Sequence, residues 1–437
     1  MSRIALRLRT LILLFNVEAA MKLLRLLRLS SSIQMWISLA VLMGFGMDVA
    51  SLSAQEKAET PAAEVKAITE EEAVEFADAL TEVANIGDFV GSNKLIDWNS
   101  ILEKAVAKPE SEKLEQARAD FKRTVTREVG GSQGVVAQIH GTIRQGGSYK
   151  CLRASVTDQR PFLMFRLKMP AGRGVNYHQY FLVRNAAGKI VASDMYVFLT
   201  AELMSDTLHR SWLPLATQVL KKNSPEGADD IEPLVAQLAS VTKIVELNAQ
   251  KQFQESLKIY RGLPESLRKD KNVMLFALLA SQGTSEEEYS QIIQDFRKYH
   301  PNDVAVDFLL IDGYTLLKQY DAAIDCVNRT NKQVGGDAML LTMRASAQLL
   351  AKRIPDAKAS LKEAMQLEPE LYEAYAAGLD VSLAEGNFED TANLLRILQN
   401  KFGIQFSDLR EAPPFSEFVK SPEYRKWAET QKNQGKK

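Results

Sequence analysis

The spacing of apolar residues changes several times along this chain. Residues 33–47 form a largely apolar run. From residue 70 the apolar positions take helical spacing: Ala73, Phe76, Ala77, Leu80, Val83 and Ala84 share one face. Helices are expected over 70–89, 98–107 and 111–129. The period then falls to two, which predicts strands over 135–144, 148–156, 161–169, 175–184 and 189–199. Gly146-Gly147, Thr157-Asp158-Gln159, Ala171-Gly172-Arg173-Gly174 and Ala186-Ala187-Gly188 separate them. Connections this short force neighbouring strands antiparallel. Helix returns over 201–222, and Ser224-Pro225 with Gly227 mark a linker over 223–236.

Beyond the linker a longer period takes over. Gln319-Tyr320-Asp321-Ala322-Ala323-Ile324 is followed by Ile354-Pro355-Asp356-Ala357-Lys358. Ala323, Ala357 and Thr391 are 34 residues apart, each preceded at three residues by Tyr320, Ile354 or Phe388. Pro301 and Pro369 stand two such periods apart, where one helix ends and the next unit begins. This spacing resembles tetratricopeptide (TPR) repeats, stacked helix pairs of 34 residues. About five units are expected over 237–404, with Phe253, Ser256 and Ala277 in weaker ones. Phe415, Phe418 and Val419 predict a capping helix over 415–430, within a terminal region 405–437.

Helices followed by hairpin-linked strands make 69–222 an α+β domain. Its order is similar to NTF2-like domains, whose helices cover one face of a curved sheet, although no helix is expected between the first two strands. The stretch from Gly174-Val175-Asn176-Tyr177-His178 to Asp194-Met195-Tyr196 also resembles exported bacterial TPR proteins. The expected fold is thus multidomain, an α+β domain and then an all-α TPR solenoid. A short loop at Asn185–Lys189 pairs Arg184 with Ile190. That register sets His178 opposite Tyr196 and Tyr180 opposite Asp194 on one sheet face, with Tyr177, Gln179, Phe181 and Val183 on the other beside Met195, Val197 and Leu199. The four polar residues are candidates for a ligand pocket; the competing reading is side chains satisfying one another.

The TPR resemblance implies that first-helix residues of each unit line a concave groove. They are Ala305, Phe308, Asp312 and Thr315, then Met339, Thr342, Ser346 and Leu349, then Glu373, Ala376, Asp380 and Leu383. The lysine and asparagine clamp that some TPR domains use for C-terminal carboxylates is absent. Such a groove prefers an apolar or basic segment, from another protein or from the chain's own 69–222 domain, unless the same residues pack against the next unit.

Charge and address narrow the partners. Net charge is −1, and residues 1–54 carry Arg3, Arg7, Arg9, Lys22, Arg25 and Arg28 against Glu18 and Asp48. The remaining body is mildly acidic, which argues against nucleic acid. The basic stretch from Met21, the apolar run and Ser51-Leu52-Ser53-Ala54 predict an export signal cut after Ala54 or kept as an anchor. Translation starts at Met1 or at Met21, and 55–68 reads as a solvated linker. The expected site of action is the periplasm or cell envelope, with membrane contact only through the N-terminal segment, and a protein or peptide partner.

Little catalytic chemistry is expected. Cys151 and Cys326 fall in different domains, excluding a disulfide framework. His140, His178, His209 and His300 lack metal-ligand spacing. Gly130-Gly131-Ser132-Gln133-Gly134 matches G-x-S-x-G, but the nucleophile elbow needs a strand before and a helix after. Here a helix and then a strand are expected. No cofactor is expected. The reading is a non-enzymatic scaffold; the alternative is a small-ligand-binding NTF2-like domain tethered to repeats.

Overall fold

The computed structural model describes residues 66–106, 112–129, 134–157, 160–172, 174–223 and 228–434. The signal or anchor expected over 1–54 lies outside them. No helix among the described residues is long and apolar enough to cross a membrane. Contacts divide the chain after residue 306 into two units.

The first unit opens with helices α1 (Glu70–Asn85), α2 (Phe89–Lys94), α3 (Trp98–Ala105), α4 (Glu112–Val129) and α5 (Val135–Arg144). Thr69 caps α1: its hydroxyl accepts from the Glu72 amide while the Glu72 carboxylate accepts from the Thr69 amide. The expected strand over 135–144 is therefore a helix. Val135, Val136, Ile139 and Thr142 are buried on one side of α5, a three- and four-residue spacing that the β-branched residues disguise.

Strands β1 (Ser148–Thr157), β2 (Arg160–Lys168), β3 (Val175–Arg184), β4 (Ile190–Val197) and β5 (Glu202–Leu203) follow. They form one antiparallel sheet in chain order. Leu163, Phe165, Leu167, Tyr180, Leu182, Met195 and Val197 join the core of α1–α5. Met164, Arg166 and Tyr177, on the opposite face, are also buried. Residues 204–306 supply α6 (Met204–Asn223), α7 (Ala228–Ala249), α8 (Phe253–Gly262), α9 (Glu265–Arg268), α10 (Lys271–Gln282) and α11 (Glu286–Tyr299). Helix α12 (Val304–Leu316) begins at the end of this unit.

The second unit continues with α13 (Tyr320–Val334), α14 (Ala338–Leu350), α15 (Ile354–Leu367), α16 (Tyr372–Glu385) and α17 (Phe388–Phe402). Each packs on the next, and α14 also packs on α16. Ala323, Ala357 and Thr391 have no exposed surface, so neighbouring helices approach closely there. Lys318 and Lys352, in the turns before α13 and α15, adopt left-handed backbone with φ of 59° and 62°. Pro369 sits in the turn between α15 and α16. The terminal segment is not one helix over 415–430. Phe415 and Phe418 lie in separate 3-10 turns, and α18 begins only at Pro422, running to Gln434. Phe415, Phe418 and Trp427 are buried against Leu379, Leu395 and Leu398, closing the hydrophobic face of α16 and α17.

Candidate functional site

The sheet cluster is built by register. Arg184 pairs with Ile190 and Leu182 with Ala192 as the short loop requires, but Phe181 pairs with Asp194. Ser193 is the extra residue of a β-bulge, and every later side chain of β4 exchanges faces. His178 therefore pairs with Val197 and Tyr180 with Met195. Asp194 and Tyr196 point to the opposite face, opposite Phe181 and Gln179. The four residues expected at one pocket mouth are divided between the two faces of the sheet.

His178 and Tyr180 instead belong to a closed buried network. The Asn176 side-chain oxygen accepts from the Tyr177 and Leu199 amides at 2.8 and 3.0 Å. That fixes the amide orientation, so its nitrogen donates to His178 Nε2 at 3.0 Å. The imidazole proton therefore lies on Nδ1 and is donated to the Tyr149 hydroxyl at 2.9 Å. Tyr149 and Tyr180 share the last bond, at 2.8 Å. Burial holds the His178 pKa down at about 3 and pushes both tyrosines up. This histidine is neutral across the physiological range and unsuited to proton transfer near neutrality. Tyr149 and Asn176 were not expected here; the alternation Asn176-x-His178-x-Tyr180 is the one sequence signal that places Asn176 beside His178.

Asp194 and Tyr196 tie other elements together. Asp194 Oδ1 accepts from the amides of Met195 and Ser205, at 2.9 and 3.2 Å. It thereby caps the start of α6 from a distant strand. Asp194 Oδ2 lies 3.6 Å from Lys104 Nζ. The Tyr196 hydroxyl donates to Asp303 at 2.9 Å, and Lys271 pairs with the same carboxylate. Nearby, buried Glu202 accepts from Asn272 at 3.1 Å and pairs with Arg210. These contacts lock β4 and β5 to α6, α10 and the turn before α12.

The remaining histidines are likewise occupied: His140 with Ser92, His209 with the Ala105 carbonyl and His300 with the Lys269 carbonyl. The described residues hold no group of three or more His, Cys, Asp or Glu that could bind a metal. Gly134 is followed by helix α5, yet helix α4 rather than a strand precedes 130–133, which lie outside the described residues. The nucleophile-elbow context is incomplete.

The groove residues separate by depth. Phe308, Met339 and Thr342 are buried. Asp312 and Ser346 are exposed, while Thr315, Leu349 and Asp380 are half-buried. Leu349 packs against Ala345, Ala357, Leu361 and Val381, so it serves the packing of successive helices. The hydroxyls of Thr315, Thr342 and Ser346 donate to carbonyls one turn back in their own helices. Asp380 has its pKa pushed up to about 8 by burial. No protein-family model matches this chain, and neither does any curated protein or solved structure.

Proposed function

We propose that this chain is an exported, non-enzymatic scaffold whose TPR-like helix pairs hold a segment of another protein. One observation carries the reading. Helices begin at Glu286, Tyr320, Ile354 and Phe388, and between them at Val304, Ala338 and Tyr372. Each series advances by 34 residues, the spacing of stacked TPR pairs. Repeats of this kind present a long open surface whose exposed positions recur, and surfaces of that form serve protein recognition. The sheet domain fits an NTF2-like build, with helices over one face of a meander. Its polar residues are spent on one another, which weighs against a small-ligand site there.

The test uses the full-length chain as bait in extracts of the cell envelope, beside a Ser346→Arg variant. Ser346 is exposed on a first helix, so a bulky cation there blocks the groove without entering the core. The expected result is a captured protein that is lost with the variant at unchanged thermal stability. Capture that is indifferent to the substitution would refute the groove as the binding surface.

A further inference from the structure

The turns that join first to second helices recur in register. The amides of Gln319, Arg353 and Asn387 donate to the carbonyls of Tyr314, Gln348 and Ser382 at 2.8, 2.8 and 2.9 Å. The residue before each takes left-handed backbone: Lys318, Lys352 and Gly386, with φ of 59°, 62° and 73°. Glycine adopts that conformation without steric cost, and lysine does not. A lysine there adds nothing to the turn that glycine lacks; what it adds is an ammonium.

The two lysines line one cleft of about 570 Å³, formed by the α12–α13 turn and the α14–α15 turn. Half-buried Tyr320 and Leu350 give it apolar walls. Arg353 donates to Asp321 at 2.5 Å, which joins the two turns and balances both charges. Lys318 and Lys352 are exposed, and neither ammonium has a hydrogen bond or ion pair among the described residues. The cleft thus keeps two uncompensated positive charges.

Building on the scaffold reading, we infer that this cleft, at the turn edge of the helix pairs, takes an acidic segment of the partner protein, with one carboxylate on Lys318 and one on Lys352. Carboxylates fit it better than phosphate does. Arg353, the side chain able to hold phosphate through two parallel bonds, is already tied to Asp321. The Asp321 carboxylate also repels a doubly charged group concentrated beside it, whereas two single charges each go to one ammonium. Side chains two residues apart on an extended segment face the same way, so the acids are expected at that spacing.

Fluorescence anisotropy on the full chain tests this. The probe is a labelled twelve-residue peptide of serine and leucine with two glutamates two residues apart; a second probe has glutamine in place of both. At low salt the glutamate probe is expected to bind about fivefold tighter, the scale of two exposed ion pairs. The preference should vanish at about 0.5 M salt. Lys318→Gly combined with Lys352→Gly should abolish it without loss of thermal stability, since glycine suits both turns. Equal binding of the two probes, no binding of either, or a preference that survives the double substitution overturns the assignment. Displacement of the glutamate probe by inorganic phosphate, and not by sodium chloride of equal ionic strength, would give the cleft to a phosphoryl group and overturn it too. Self-association that the double substitution removes would make the occupant a second copy, with the same consequence. The scaffold reading stands or falls separately. Capture from envelope extracts that Ser346→Arg abolishes and the double substitution leaves intact refutes the acidic contact alone; a wild-type chain that captures nothing refutes the scaffold.

Discussion

His178 shows how one buried side chain writes itself into stability. Its pKa falls from about 6.5 in an unfolded chain to about 3 in the fold because burial excludes the charged form. Below pH 6.5 the unfolded chain therefore binds a proton that the folded chain refuses. Stability contributed by this site is present above that value and declines as the pH drops, levelling near 3. The slope is about 1.4 kcal/mol per pH unit within the window. Denaturant titrations between pH 4 and 7 should show His178→Gln with a slope shallower by one proton; an unchanged slope would place the proton uptake elsewhere. Lys352 offers a second residue-scale prediction. Its left-handed backbone suits glycine, so Lys352→Gly should raise stability by about 0.5–1 kcal/mol in the same assay, net of the added chain entropy. The identity of the buried histidine was legible as a candidate in the sequence. Its enclosure was not, because Tyr149 reaches it only once β1 and β3 flank β2.

At the scale of elements, a single extra residue decides the sheet. The hairpin loop and the Arg184–Ile190 pair follow from Asn185 to Lys189, yet Ser193 shifts the register two pairs later. A bulge leaves no mark in hydrophobic alternation when both faces are buried, as they are across β2 to β4. The same bulge delivers Asp194 to the α6 start. Asp194→Ala removes an acceptor for two amides and should destabilise the protein by about 1–3 kcal/mol in chemical denaturation; a loss below 0.5 kcal/mol would mean water replaces it, within the context dependence of such bonds. Segment 135–144 is ambiguous in sequence for a related reason. Val135, Val136, Ile139 and Ile143 favour strands by type, while their spacing fits a helix equally well. The terminal cap was half legible: Phe415 and Phe418 do cover the last helices, but Pro413, Pro414 and Pro422 break the helix expected to carry them.

For the whole molecule, the long period was the strongest sequence signal. Close packing forces small residues to recur, and Ala323, Ala357 and Thr391 are fully buried. Any partner of the helix pairs would be chosen by surface chemistry, and there the sequence identifies candidate positions without their depth. Phe308, Met339 and Thr342 are buried, Thr315, Leu349 and Asp380 are half-buried, and only Asp312 and Ser346 of these eight positions are exposed. The export reading belongs to this scale too. N-terminal sequencing of protein from fractionated cells should begin at Gln55; a start at Met1 or Met21 would mean that the segment is retained.

The most direct measurement is site-specific photo-crosslinking in cells, with a photoreactive residue at Ser346 on a first helix or at Lys362 on a second helix, both exposed. The scaffold account predicts a discrete adduct with another protein from position 346 and none from position 362. Adducts from both positions alike, or from neither, would contradict it.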